Sequence, residues 1–202
     1  MTFFPAETGF IVCIQETPLF ATEGLGILGA MWQSFNGWPS TLAGFRHRDP
    51  EASFTLTRYL EDQQQWEEYA VETQLYRAKG YSTYIPKEGF ESEDILYGGL
   101  SAIRWVCREN REVWFAVVRL DTQDFDQAIQ WGLSAGGSDY DLFEDASCGV
   151  SGSSTDGSAF LSMQFYKSYN SSIYAAIRHY PLAQTDNLAG YVKLMTDQFQ
   201  TE

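Results

Sequence analysis

The hydrophobic pattern of the chain predicts β-strands in both of its halves. Apolar and polar positions alternate over residues 53–60, which is typical of a half-buried strand. The run from Val113 to Val118 contains no polar residue, which indicates a central strand covered on both faces. Further strands are predicted at 9–15, 159–166 and 172–180, and the last two form a hairpin.

Apolar positions three or four residues apart predict helices. Residues 93–108 have such a stripe, with acids in the first turn and arginines in the last, as the helix dipole favours. Residues 123–134, capped by Thr122, and a C-terminal segment capped by Asp186 repeat the pattern. Residues 63–78 fit a helix or a strand, and their Glu, Gln and Ala content favours the helix.

Strands and helices therefore mix without strict alternation. This order predicts a single α+β domain over residues 1–202, in which a mixed or mainly antiparallel sheet packs against about four helices. One of these helices is expected at 23–36, despite three glycines. Residues 149–158 are rich in Gly and Ser, which predicts a flexible loop.

Composition narrows the possible functions. The 202 residues include 13 basic and 27 acidic side chains, for a net charge of −14, which disfavours nucleic acid as a partner. The absence of a long apolar run excludes a transmembrane helix. The first ten residues lack the cations of a signal peptide and the three cysteines are an odd number, so we expect a cytoplasmic protein with reduced thiols.

The charge is concentrated in one segment. Residues 121–157 hold eight acids and no Lys or Arg. Such a segment is either a solvated face or a docking surface for a basic protein partner. The leading hypothesis is a non-enzymatic interaction domain, a profile shared by acidic inhibitor and immunity proteins and by phage assembly proteins. The predicted partner-binding residues are Asp121, Asp124, Asp126, Asp139, Asp141, Glu144 and Asp145.

The same segment is a poor match to a calcium loop. Carboxylates from Asp139 to Asp145 suit a hard cation. An EF-hand loop starting at Asp139 would place Phe143 at a ligand position and Glu144 where glycine is required. The sequence therefore predicts no metal site and no cofactor.

An alternative function is a hydrolase with a cysteine nucleophile. Cys148 stands in a polar segment, and His179 and Asn187 follow it in the chain. A catalytic thiolate needs an imidazole beside it and a third group that orients the imidazole. His179 can equally mark the end of a strand.

Aromatic residues provide a further alternative. Trp32, Phe35, Trp38 and Phe45 surround a Gly/Pro-containing segment. Such residues can bind a sugar or a protein, or they can form a small core beneath the loop.

Overall fold

The structure of this protein is a computed structural model that describes residues 2–6, 9–13, 48–145, 148–168 and 171–201, with side chains from residue 48 onward. The chain divides into two compact units, one reaching to Asp49 and one spanning Pro50–Thr201. The expectation of one domain over residues 1–202 stays a prediction.

The first unit contains one described hairpin. Strand β1 (Thr2–Ala6) pairs antiparallel with strand β2 (Gly9–Cys13). Strand β2 falls within the strand predicted at 9–15. The helix predicted at 23–36 and the aromatic segment 32–45 lie outside the described residues.

The second unit begins with a four-stranded antiparallel sheet. Its strands in spatial order are β13 (Gln200–Thr201), β5 (Tyr81–Pro86), β4 (Gln65–Ala78) and β3 (Glu51–Leu60). Exposed and half-buried residues alternate along most of β3, as the pattern over 53–60 predicted. The turn between β4 and β5 contains Gly80 at φ +95°, a backbone conformation that favours glycine.

A seven-stranded antiparallel sheet forms the larger part of this unit. Its strands in spatial order are β6 (Phe90–Tyr97), β7 (Leu100–Cys107), β8 (Trp114–Leu120), β12 (Ile173–Pro181), β11 (Ala159–Lys167), β10 (Gly149–Ser154) and β9 (Tyr140–Asp145). Strands β8 and β12 are central and largely buried. The unbroken apolar run at 113–118 correctly indicated this central position.

Two helices and two short 3-10 turns complete the described residues. Helix α1 (Phe125–Ala135) packs on β9, β10 and β11, and helix α2 (Ala189–Asp197) packs mainly on β12 and β5. The 3-10 turns are Gly137–Asp139 and Leu182–Gln184. Among the described helices, none has the length and apolar character needed to cross a membrane.

The seven-stranded sheet has a hydrophobic core on each face. The first core lies beneath α1 and includes Val118, Met163 and Ile177. The second core lies between this sheet, β5 and α2, and includes Phe115 and Met195. Residues that alternate along each strand therefore enter different cores.

The predicted α+β fold with about four helices is wrong. The described residues are mostly β and contain two helices. Residues 93–108 form most of the β6–β7 hairpin instead of a helix. Gly98 and Gly99 form its turn with φ values of +54° and +82°, which a right-handed helix does not contain. Residues 65–78 form β4, and residues 149–154 of the expected loop form β10.

Other predicted elements are confirmed, although their caps differ. Helix α1 lies at the predicted place, but Asp124 is its N-cap and accepts a hydrogen bond from the Asp126 N–H. Helix α2 begins after Leu188, which makes no capping side-chain hydrogen bond, so Asp186 is not its cap. The hairpin predicted for 159–180 is formed by β11 and β12.

Candidate functional site

Strand β9 forms one outer edge of the seven-stranded sheet and carries exposed acids. It pairs with β10 on one side, and among the described residues no strand pairs with its other side. Asp141 and Glu144 on this strand, and Asp139 just before it, are exposed. Phe143 lies between them with 61% of its surface exposed. We call Asp139, Asp141, Phe143 and Glu144 the acidic edge.

The register explains why the acids of this edge remain unneutralised within the sheet. Asp141 is opposite Ser153, and Glu144 is opposite Val150, so the cross-strand partners of both acids are uncharged. Leu142 is half-buried and packs against the first core. Half-buried Asp145 ends the strand. Packing of Leu142 therefore helps to hold the strand on the sheet, and two of its three exposed positions are charged.

Three further acids lie around the start of α1. Asp121, Asp124 and Asp126 are exposed. Asp124 caps the helix and Asp126 lies in its first turn, so the negative charges of both interact favourably with the helix dipole and stabilise the helix. These two acids therefore have a structural role that explains part of the segment's charge.

Cations of the described chain form ion pairs elsewhere. Arg58 pairs with Glu67 at 2.6 Å, and Lys87 pairs with Glu51 at 2.8 Å. On the β6–β7 hairpin and beside it, three arginines pair with Glu91 and Glu93; they are Arg104, Arg108 and Arg111. No described Lys or Arg lies within ion-pair distance of the six exposed acids, which are Asp121, Asp124, Asp126, Asp139, Asp141 and Glu144.

Lys167, whose side chain contacts the backbone just before α1, does not change this balance. The Lys167 Nζ donates a hydrogen bond to the Gln123 carbonyl oxygen at 3.0 Å. This lysine therefore binds a backbone oxygen at the start of the helix. The six exposed acids remain without a described cationic partner.

Asp156 differs from the other acids of the segment. It lies in the turn between β10 and β11, where its Oδ1 accepts hydrogen bonds from Ser154 Oγ at 2.6 Å and Ser158 Oγ at 2.7 Å. The Ser158 backbone N–H also donates to it. These hydrogen bonds lower the pKa of Asp156 to about 2. Asp156 therefore stabilises a tight turn.

The acids do not form a metal site in the described structure. Residues 140–145 are an extended strand, and their side chains point alternately to its two faces. In the part of the chain that the structure describes, no group of three or more His, Cys, Asp and Glu side chains could hold a metal ion.

His179 is buried in a hydrogen-bonded group at the first core. Its Nδ1 donates to the Glu112 carbonyl oxygen, and its Nε2 accepts from the Tyr140 hydroxyl at 2.7 Å. The imidazole stacks on Trp114, with ring centroids 5.0 Å apart. Burial lowers the pKa of His179, so the ring is neutral.

The structure does not bring the predicted cysteine triad together. The Cys148 carbonyl oxygen accepts a hydrogen bond from the Phe165 N–H of β11. Strand β11 therefore lies between Cys148 and β12, the strand that carries His179. Cys148 and His179 are two strands apart across the sheet and four residues apart along the strand direction, which corresponds to a distance of about 16 Å. Asn187 precedes α2, which packs into the second core, whereas His179 contacts residues of the first core.

Sequence reasoning missed the group around His179. Trp114 is the cross-strand partner of His179, whereas Tyr140 lies on the edge strand β9, three strands away from β12 in the sheet. No spacing in the sequence relates Tyr140 to a histidine 39 residues later. The alternation within β12 could have indicated only that His179 faces the same side as Ile177.

No protein-family model matches the chain, and no curated protein matches it.

Proposed function

We propose that this protein is a non-enzymatic interaction domain that docks a basic protein partner through its acidic segment, with the acidic edge at the centre of the contact. The supporting observation is that six exposed carboxylates of the segment have no described cation within ion-pair distance. Unneutralised like charges disfavour the compact state, and a basic partner would relieve this repulsion.

Phe143 gives the contact an apolar centre. An aromatic side chain that fills a partner's pocket supplies much of the affinity of a typical interface, and surrounding charges supply specificity. Phe143 is exposed, and acids both precede and follow it along the edge. On the side of β9 where no described strand pairs, its backbone groups also offer pairing positions for an extended partner segment.

Charge would act mainly on the rate of association. Complementary potentials steer two proteins together over a distance of about the Debye length, ~8 Å at physiological salt. Binding through the acidic edge should therefore weaken as salt increases. An apolar contact alone would not weaken in this way.

We propose that the protein binds this partner in the cytoplasm. The two cysteines whose side chains are described are free thiols, Cys107 buried and Cys148 exposed. An exposed free thiol is typical of a reducing compartment.

A charge-reversal variant tests the proposal. In Asp139/Asp141/Glu144→Lys, the acidic edge becomes basic while the apolar residues of β9 stay unchanged. The matched control is Glu61/Asp62/Glu68→Lys, which changes the net charge equally at exposed acids of the four-stranded sheet. Each immobilised protein is used to capture partners from native lysate of its source cells at low and high salt.

The expected result is one basic protein captured by the wild type and by the control, lost in the edge variant and released by salt. Phe143→Ser should weaken the capture without changing the charge. Equal capture by the edge variant and the control would contradict the proposal. Loss in both variants would show a response to net charge alone, which also contradicts a specific edge contact.

A further inference from the structure

A groove lies on the second-core face of the seven-stranded sheet, and none of its lining residues belongs to the acidic edge. It has a volume of about 650 Å³, within the size range of small-molecule sites. Ile103 and Val117 line its apolar part, together with the aromatic rings of Tyr81 and Tyr174. Leu96, with 76% of its surface exposed, stands at the outer side.

Two cations line the same groove. They are Lys79, from the turn between β4 and β5, and Arg119, near the end of β8. Both are exposed, and no described carboxylate lies within ion-pair distance of either one. Asp94 also lines the groove without pairing with them. In a chain with 13 basic and 27 acidic side chains, two unpaired cations in one groove are unusual.

Tyr174 brings these two cations to the groove. It is the cross-strand partner of Arg119, and its hydroxyl donates a hydrogen bond to the Lys79 carbonyl oxygen at 3.0 Å. Tyr174 is itself 2% exposed, so the contact is fixed by packing. The Arg119 Nη2 donates to Ser172 Oγ at 3.1 Å, which restrains the guanidinium at this end of the groove.

From this arrangement we infer a binding site for a small amphipathic anion, a molecule with one carboxylate, sulfate or phosphate group and an apolar body. Lys79 and Arg119 bind the anionic group, and the apolar body lies over Ile103 and Val117 towards Leu96. Charge-assisted hydrogen bonds favour an anion over an uncharged group of the same size. The site is independent of the acidic edge, because none of its lining residues belongs to residues 121–157.

Titration calorimetry with decanoate, below its micelle concentration, tests this inference. Decanol and decyltrimethylammonium have the same chain length with no charge and with the opposite charge. Decanoate is expected to bind, and the other two compounds are expected to bind at least tenfold more weakly, roughly the effect of one charged hydrogen bond.

Variants locate the site. Lys79→Gln/Arg119→Gln should weaken decanoate binding by about tenfold or more. Lys167→Gln/Lys193→Gln is the matched control, since it removes two exposed cations outside the groove. Leu96→Ser should weaken binding severalfold with no change in charge. Thermal unfolding of each variant shows that the fold is retained.

Three outcomes would overturn the inference. Wild-type protein that does not bind decanoate has no such site. If decanoate binding weakens equally in the two double variants, the weakening is caused by the change in net charge and not by the loss of the groove cations. Pelleting with anionic phospholipid vesicles in the absence of decanoate binding would show a membrane surface, and not a free small anion, as the ligand.

Discussion

At the scale of single residues, His179 shows how burial decides a side chain's role. Both ring nitrogens are engaged, one by the Glu112 carbonyl and one by the Tyr140 hydroxyl. Desolvation is the main cause of its lowered pKa. A neutral, doubly hydrogen-bonded ring fixes the position of Tyr140 at the start of β9. His179 therefore links the central strand β12 to the acidic edge strand.

Protonation of His179 should destabilise the protein. Because the pKa is lower in the folded state, the contribution is fully present above the unfolded value of about 6.5 and is lost as pH falls towards the folded pKa. The free energy of unfolding in urea should therefore decrease between pH 7.5 and pH 5.5. His179→Gln should reduce this pH dependence.

The chain contains one other histidine, His47, which supplies the control. His47→Gln measures any part of the decrease that does not come from His179. If the pH dependence survives in His179→Gln and disappears in His47→Gln, its source is His47 and the role given to His179 is refuted.

Tyr140→Phe should lower the free energy of unfolding by about 1 kcal/mol at neutral pH, because it removes the hydrogen bond from the Tyr140 hydroxyl to His179 Nε2.

Asp156 should titrate far below an ordinary aspartate. Its hydrogen bonds with Ser154 and Ser158 predict an NMR titration midpoint of about 2. Ser154→Ala/Ser158→Ala should raise this midpoint, because two hydroxyl donors to the carboxylate are removed. An unchanged midpoint in the double variant would show that these hydroxyls do not hold the charge.

At the scale of elements, the pairing of β9 with β10 depends on a glycine. A Cβ at Gly152 would overlap the Asp141 carbonyl oxygen of the neighbouring strand. The two backbones can therefore approach normally only if residue 152 has no side chain. This close approach attaches the acidic edge strand to the sheet.

Substitution at Gly152 should loosen that edge. Gly152→Ala should lower the free energy of unfolding by about 2 kcal/mol, as expected for an overpacked site. Gly190→Ala is the matched control, because its Cβ would lie 3.5 Å from Leu56 Cδ1, an ordinary contact, inside α2. The control should be stabilised by about 0.5–1 kcal/mol. Denaturant unfolding distinguishes the two variants, and equal stabilities would refute the role given to Gly152.

Sequence patterns predicted the elements whose burial matches the pattern directly. Helix α1 buries one stripe of its surface, and the unbroken apolar run of β8 is buried along most of its length. The β6–β7 hairpin was misread because its apolar residues also repeat every three or four positions. Leu96, counted on that stripe, is in fact 76% exposed. Glu93 and Arg104, read as helix-end charges, are cross-strand partners that form an ion pair.

Strand β4 was misread for a related reason. Its Glu, Gln and Ala residues favour a helix locally, but ten consecutive pairs with β3 and six with β5 override that preference. The candidate site was partly accessible from sequence, since the acids of residues 121–157 were recognised. Their position on an edge strand was not, because no strand was predicted at 140–145, where the adjacent Leu142 and Phe143 interrupt the alternation of apolar and polar residues.

At the scale of the whole molecule, the net charge of −14 is unevenly neutralised. Several ion pairs lie on the four-stranded sheet and the β6–β7 hairpin, and the six exposed acids of the acidic segment lack a described cation. Repulsion among these acids opposes folding and acts over the Debye length.

Salt should therefore stabilise the protein. Raising the ionic strength from ~0.01 M to ~0.15 M shortens the Debye length from ~30 Å to ~8 Å, so the melting temperature should rise. Asp139/Asp141/Glu144→Lys should melt higher than the wild type at low salt and respond less to salt. A melting temperature that falls with salt would show that the ion pairs outweigh the repulsion.

The position of β12 in the middle of the seven-stranded sheet also determines when that sheet can form during synthesis. Strands β6 to β8 can pair early, and β9 to β11 can pair among themselves, but β12 joins the two groups. Its pairing of Ile173 with Leu120 closes a loop of more than fifty residues. Folding should therefore be slow and completed late, with newly made chains exposing two unjoined half-sheets until their last quarter has emerged.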